Sequence, residues 1–343
     1  MRVLLIKTSS LGDVIHTLAA VTDAARARPD IRLDWVVEEA FAEIPSWHPA
    51  VTDVIPVAIR RWRKQLWQTW RSGQWRDFKQ RLARRHYDLV IDAQGLLKSA
   101  LLTRYPKAPV AGLDRHSARE PLASLFYQHR YPVAKNQHAV ERTRQLLAQA
   151  LDYPLPDSVA DYSLNADFVS GEQPPYLLFL HGTTWPSKHW PEPYWRQLAQ
   201  PLAAEGWALR LPWGNAEERA RAERICAGLR HAQVLPRLDL RGIAGAIAGA
   251  RACVAVDTGL GHLAAALDVP TLSLYGPTRP DRVGTHGRNQ VHLCATGPRA
   301  GKGDRNAPCF DNLGAEPVLG ALRALLSQSQ SPSAGAAPLT GNS

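Results

Sequence analysis

The sequence predicts an α/β protein of two doubly wound domains facing each other across a cleft. Three observations carry this expectation. Short β-branched or leucine-rich runs alternate with longer helical patterns, as in parallel sheets built from βαβ units. The alternation occurs twice, interrupted where Pro154, Pro156, Gly171, Pro174 and Pro175 cluster among polar residues. The chain is 343 residues long, too long for one compact layer and suited to two Rossmann-like domains of similar size. These place an N-terminal domain at 1–165 and a C-terminal domain at 166–326. The tail, 327–343, is mostly Ser, Gln, Pro, Ala and Gly with almost nothing to bury, and disorder is expected there.

In the first half, strands are expected at Val3–Lys7, Leu33–Val37, Val54–Val57, Leu89–Asp92 and Val110–Leu113. The first is followed by Thr8-Ser9-Ser10-Leu11-Gly12-Asp13 and then by Val14, Ile15, Leu18 and Val21 at helical spacing. A small-residue loop opening a helix presents backbone N–H groups and a positive helix end, both of which favour an anion. Asp13 at that helix start is either a capping carboxylate, the common role, or a reactive one.

In the second half, strands are expected at Tyr176–Leu180, Ala208–Leu211, Cys253–Val256 and Thr271–Tyr275. Because ligands of open α/β sheets bind beyond the strand carboxyl ends, the loops after these strands are the candidate site. His181 to Pro191 offers Thr183, Thr184 and Lys188, suited to a diphosphate, and a helix should begin at Pro191. Lys188 could neutralise charge on a departing phosphate or be a solvated loop lysine. Asp257-Thr258-Gly259-Leu260-Gly261-His262 leads into a helix expected at Leu263–Leu267. Its glycines allow close backbone approach, while His262 could equally be a packed histidine. Gly276-Pro277-Thr278 is another strand-end turn aimed at the same cleft. After Leu211-Pro212-Trp213-Gly214 come Glu217 and Glu218, acids placed to accept from ribose hydroxyls or simply to open a surface helix.

Composition narrows the function classes. The apolar run Val3–Ile6 ends at Lys7, too short for a signal-peptide core. No stretch reaches the roughly 20 apolar residues of a spanning helix. Cys226, Cys253, Cys294 and Cys309 lack any C-x-x-C pair, so neither a zinc site nor a disulfide framework is suggested, and a reduced cytoplasmic protein is expected. The net charge of +10 calls for an anionic partner. Between Arg60 and Arg85 lie ten bases against the single acid Asp77, interleaved with Trp62, Trp67, Trp70 and Trp75. Base and tryptophan together suit an anionic membrane surface. Four to six such bases at roughly 1 kcal/mol each would give about 4 to 6 kcal/mol of reversible attachment. A solvated helix with tryptophan on its buried face fits as well, and nucleic-acid binding ranks lower.

The Lys7 to Leu18 stretch, Thr183-Thr184 to Pro191, and Asp257 to His262 resemble the three signature loops of the bacterial lipopolysaccharide heptosyltransferases. Trp35 to Glu39, Ile55 to Lys64, Ile91 to Lys98 and Ser117 to Tyr127 are similar to the heptosyltransferase I branch, and the likeness spans nearly everything before the tail. The resemblance implies a glycosyltransferase B-type fold, with the acceptor on the first domain and ADP-heptose on the second. ADP-heptose would be a co-substrate, with no cofactor and no metal, consistent with the absence of a D-x-D motif. It implies that Ser10, Gly12, Thr183, Thr184, Lys188, Glu217 or Glu218, Asp257, Thr258, Gly259 and His262 meet the donor. Asp13 is the implied general base, with Lys188 beside it in catalysis. Arg60, Arg61, Arg63, Lys64 and Arg119 would meet the acidic Kdo sugars and phosphates of Kdo2-lipid A, at the inner face of the cytoplasmic membrane. Gly182 stands where the family has alanine and Gly261 where it has serine. A heptosyltransferase II-type enzyme with a heptosylated acceptor, and a basic non-catalytic nucleic-acid binder, are the competing expectations. A nucleotide-linked dehydrogenase is disfavoured because the first loop lacks G-x-G-x-x-G.

Overall fold

The computed structural model describes residues 1–164, 168, 174–295 and 309–328. It contains two six-stranded parallel sheets. The first is built from β1 (Arg2–Ile6), β2 (Arg32–Glu38), β3 (Val51–Val57), β4 (Leu89–Asp92), β5 (Val110–Leu113) and β6 (His129–Tyr131), in the order β3-β2-β1-β4-β5-β6. The second uses β7 (Tyr176–Leu180), β8 (Ala208–Leu211), β9 (Ala232–Val234), β10 (Ala252–Val256), β11 (Thr271–Tyr275) and β12 (Gln290–Cys294), in the order β12-β11-β10-β7-β8-β9. In register, Leu5 of β1 lies between Trp35 of β2 and Ile91 of β4.

The central strands read as apolar runs because both faces are covered. Along β1, Val3 and Leu5 join one core layer while Leu4 and Ile6 join the other. Along β7, Leu178 and Leu180 share the layer that contains Val3, whereas Leu177 and Phe179 face the outer helices of the second sheet. One apolar layer is therefore continuous from the first sheet to the second. Its middle is helix Leu11–Ala27, which packs on helix Ala139–Leu151 and on helix Gly259–Ala266.

Strand order reverses between β1 and β4 in the first sheet and between β10 and β7 in the second. Such switch points open a crevice beyond the strand ends. Four loops meet there, following β1, β4, β7 and β10.

The structure corrects several boundaries. Lys7 falls just past β1, and the helix after β10 starts at Gly259 with Thr258 as its N-cap, four residues before the expected start. Pro191 is the N-cap of helix Glu192–Ala204 rather than its first residue. The last helix, Ala315–Gln328, extends two residues into the expected tail because Leu322, Leu325 and Leu326 hold it on the core. Residues 329–343, and 165–167 at the expected domain boundary, lie outside the described residues. The sequence pattern missed β6, β9 and β12, which are sheet edges with half-exposed residues and no apolar run.

Candidate active site

The four loops, together with segments that follow β2, β3, β5, β8, β9 and β11, enclose a cavity of about 1380 Å³. Its wall on the first domain includes Ser10, Gly12, Asp13, Arg60 and Arg119; on the second it includes Thr183, Thr184, Lys188, Glu218, Asp257, Thr258, Gly259 and His262.

Each loop is held from beneath. The backbone N–H groups of Thr8 and Ser9 both donate to Gln94 Oε1, at 2.9 and 3.1 Å. This ties the loop after β1 to the loop after β4. The buried Lys7 donates to the Ala93 carbonyl at 2.9 Å, and burial lowers its pKa against the pull of Asp13 and Asp92. Asp13 takes the capping role: its Oδ2 accepts from the Ser10 backbone N–H at 2.9 Å and from the Ser10 hydroxyl at 3.1 Å. Asp13 thus caps the start of its helix while lining the cavity.

On the second domain, Asp257 is the node. Its Oδ2 is 2.6 Å from Lys188 Nζ and accepts from the Thr278 hydroxyl at 2.6 Å, while its backbone carbonyl accepts from the Thr183 hydroxyl at 2.9 Å. Lys188 Nζ also sits 4.5 Å from the centre of the Trp185 ring. This cluster holds a cation in the cavity wall, at the N-terminus of helix Gly259–Ala266, where partial positive charge already accumulates. Glu218 turns inward: its Oε2 accepts from the Gly214 N–H at 2.7 Å, and a Cβ on Gly182 would stand 2.8 Å from its carboxyl. Glycine at 182 thus leaves Glu218 the room it occupies.

The two halves touch through their helix starts. A Cβ on Gly12 would stand 2.6 Å from the His262 ring, and one on Gly259 would stand 2.6 Å from Leu11. The sites on the two domains therefore share one wall, with Asp13 on one side and Lys188 on the other.

The chain matches glycosyltransferase family 9 (heptosyltransferase) over residues 75–309. It is 71% identical over 303 residues to lipopolysaccharide heptosyltransferase 1 of Pseudomonas aeruginosa, covering 88% of this chain and 85% of that one. The chain belongs to the heptosyltransferases. It is also similar to E. coli heptosyltransferase WaaC solved with ADP, at TM-score 0.88 and 47% identity over 95% of this chain and 100% of that one. The same enzyme solved with ADP-2-deoxy-2-fluoro heptose gives TM-score 0.86 at 47% identity, over 94% and 99% of the two chains. Likeness to E. coli lipopolysaccharide heptosyltransferase 2 is lower, 27% over 304 residues, covering 82% of this chain and 84% of that one.

In this heptosyltransferase four of the expected site residues stand outside the cavity wall. Glu217 is exposed and 3.5 Å from Arg221, one helical turn on, so of the two candidate acids only Glu218 faces the cavity. Arg61 is claimed by Glu39, which it meets in a two-pronged contact at 2.9 and 3.0 Å. Arg63 and Lys64 are exposed on helix Ile59–Lys64, beyond the cavity wall.

The basic segment as a whole is less free than its sequence suggests. Arg81 and Arg85 pair with Asp53, Arg85 also pairs with Asp34, and Arg76 lies beside Asp77. Trp62 is buried and Trp75 packs against Trp62, Phe78 and Tyr105, as a core-facing helix requires, while Trp67 is exposed. The side chain of Trp70 lies outside the described residues. Residues missed in the sequence include Gln94, Lys98, Glu120 and Trp185, all on the wall, whereas Thr278 lines it as its strand-end turn led one to expect. Their signal was position at a strand end, since Gln94 and Lys98 follow β4 as Thr183 and Lys188 follow β7.

Proposed function

We propose that the protein transfers L-glycero-D-manno-heptose from ADP-heptose to a Kdo hydroxyl of Kdo2-lipid A, in assembly of the lipopolysaccharide inner core. The observation that carries this reading is the placement of Asp13 and Lys188 on opposite walls of one cavity between the two domains. Membership of the heptosyltransferases and the ADP-bearing WaaC structures support the choice of donor.

The reaction is a single inverting displacement. Asp13 takes the proton of the Kdo hydroxyl as that oxygen bonds to the heptose anomeric carbon, and the bond from that carbon to ADP breaks on the opposite face. Lys188 and the N–H groups at Thr258 and Gly259 meet the charge building on the departing diphosphate, with Thr183 and Thr184 beside them and Glu218 at the ribose. This distribution of positive charge does the work a divalent cation does elsewhere, and transfer should survive chelation. A positioned base typically contributes about 10²- to 10⁴-fold, so holding both substrates in one cavity must supply much of the remainder.

Arg60 and Arg119 on the cavity wall, with Arg63 and Lys64 outside it, would meet the acidic acceptor and place the enzyme at the cytoplasmic face of the membrane. No helix among the described residues is long and apolar enough to cross a bilayer, and attachment would be peripheral. Supplying purified protein with ADP-heptose and either Kdo2-lipid A or its heptosylated product tests the acceptor. Transfer to the first alone supports the proposal. Transfer to the second alone would move the reading to the heptosyltransferase II type.

A further inference from the structure

Four large apolar side chains are exposed on one layer of the first domain: Trp67 at 75%, Leu101 at 47%, Leu122 at 59% and Leu125 at 67%. They belong to helix Leu66–Arg71, the 3-10 turn Leu101–Arg104 and the 3-10 turn Pro121–Phe126. Their neighbours Leu102, Ala123 and Tyr127 are buried in the core against the first sheet, so the layer is well seated and the leucines point outward by its geometry. The two turns pack on each other, and an edge contact of 5.7 Å between Trp75 and Tyr105 joins them to the basic helices. Single exposed leucines are ordinary on a protein surface. Two on one six-residue turn, with a third on the turn packed against it, form a patch, and such patches mark contact surfaces.

Charge and position identify what the patch meets. Arg63, Lys64, Arg71, Arg104 and Lys107 are exposed on the same layer and have no ion pair among the described residues, unlike Arg61, Arg81 and Arg85. A second copy of this chain would bring those cations against their own images. An anionic lipid surface answers both the apolar side chains and the cations around them. The patch also begins at the rim of the cavity: Arg119 and Glu120 line the wall, Glu120 accepts from the Leu97 N–H at 2.6 Å, and Leu122 follows two residues later.

We propose that Leu101, Leu122 and Leu125, with Trp67, form a pad that dips into the acyl boundary of an anionic bilayer beside the cavity mouth. The cations rest among the headgroups, and the sugar end of a lipid-borne acceptor then reaches Asp13 without leaving the membrane. This rests on the reading of the acceptor as a glycolipid.

Flotation of the full chain with phosphatidylcholine vesicles, with and without phosphatidylglycerol, at low and high salt, tests the pad. The wild type should float with anionic vesicles, and part of that binding should resist salt. The Leu122→Ser/Leu125→Ser variant should lose about tenfold or more of its partition, as removal of buried leucine surface implies, and should lose the salt-resistant part. Arg63→Gln/Lys64→Gln should lose the salt-sensitive part. Leu122→Trp should bind more tightly than the wild type. Partition of the double leucine variant equal to the wild type, or no wild-type binding to any vesicle, would overturn the pad. Activity on an acceptor stripped of acyl chains should be the same in the wild type and the leucine variant. If the wild type transferred heptose to no acceptor, the transfer reading alone would fail, and vesicle partition would still decide the pad.

Discussion

His16 on the first domain and His262 on the second share a hydrogen bond, Nε2 to Nδ1, at 3.1 Å, with their rings edge to face. His16 lies one turn after Asp13 on its helix, and His262 lies five residues after Asp257. One buried contact thus couples the helix that carries the proposed base to the helix proposed to meet the donor. His138 and His286 extend the cluster, with centroids 5.5 Å from His16 to His138 and 4.7 Å from His138 to His286.

This cluster makes stability depend on pH. Burial holds His16, His262 and His286 below the ordinary histidine pKa and lowers His138 to about 4. Neighbouring histidines lower His16 and His138 further, while Asp257 and Asp13 oppose the shift at His262 and Glu141 opposes it at His286. As pH falls through about 6.5 the unfolded chain takes up protons that the folded chain refuses. Stability is therefore full above that value and declines toward about pH 4, where His138 itself protonates, at up to about 1.4 kcal/mol per pH unit for each histidine. Thermal unfolding at pH 7.5 and pH 5 should show a lower Tm at the lower pH. The gap should narrow in His138→Asn, which keeps an acceptor for the Val140 N–H.

The Asp257–Lys188 pair predicts a charge defect confined to chemistry. Lys188→Ala should lower kcat by about 10²- to 10³-fold, the usual effect of losing one charge-stabilising donor. Arginine at 188, which keeps the charge with different reach, should restore part of it. Steady-state kinetics on both substrates check this. An unchanged kcat would remove Lys188 from the reaction.

Glu217 and Glu218 should separate cleanly. Glu218→Gln weakens an acceptor on the cavity wall and should raise the donor KM roughly three- to tenfold, the range of one hydrogen bond. Glu217→Gln changes an exposed carboxylate and should leave donor KM unaltered. Equal effects of the two would contradict the inward placement of Glu218.

Gly12 and Gly259 are required by close approach between the domains. Alanine at 12 meets the His262 ring and alanine at 259 meets Leu11, each at 2.6 Å before relaxation. Gly12→Ala should separate the helix starts and cost more than about tenfold in kcat/KM, since small misplacements of reacting groups are expensive. The Tm and the activity of that variant, measured together, distinguish a displaced site from an unfolded chain.

Much of this arrangement was legible in the sequence, for physical reasons. Strands β1, β4, β7 and β10 are covered on both faces, so Val3–Ile6, Leu89–Ile91, Tyr176–Leu180 and Cys253–Val256 read as uninterrupted apolar segments, and the loops after three of them carried the expected glycines and hydroxyls. Edge strands such as His129–Tyr131 bury little and leave no pattern. Long-range partners leave none either. Nothing near Arg61 announces that Glu39 will claim it, and nothing near Thr8 announces Gln94, because each pair is made by neighbouring strands of a sheet. The choice between Glu217 and Glu218 depended on which face of one helix turn meets Gly182, and two adjacent acids do not reveal that.

The central claim is that Asp13 is the base of heptose transfer. The direct measurement is product mass after incubating ADP-heptose and Kdo2-lipid A with the wild type and with Asp13→Ala, in chelator, alongside ADP binding by both. The account predicts one added heptose with the wild type, a rate about 10²- to 10⁴-fold lower in the variant, and ADP bound equally well. A variant that transfers heptose at the wild-type rate would contradict the assignment of Asp13, and a wild type that binds ADP but adds no heptose would contradict the assigned acceptor.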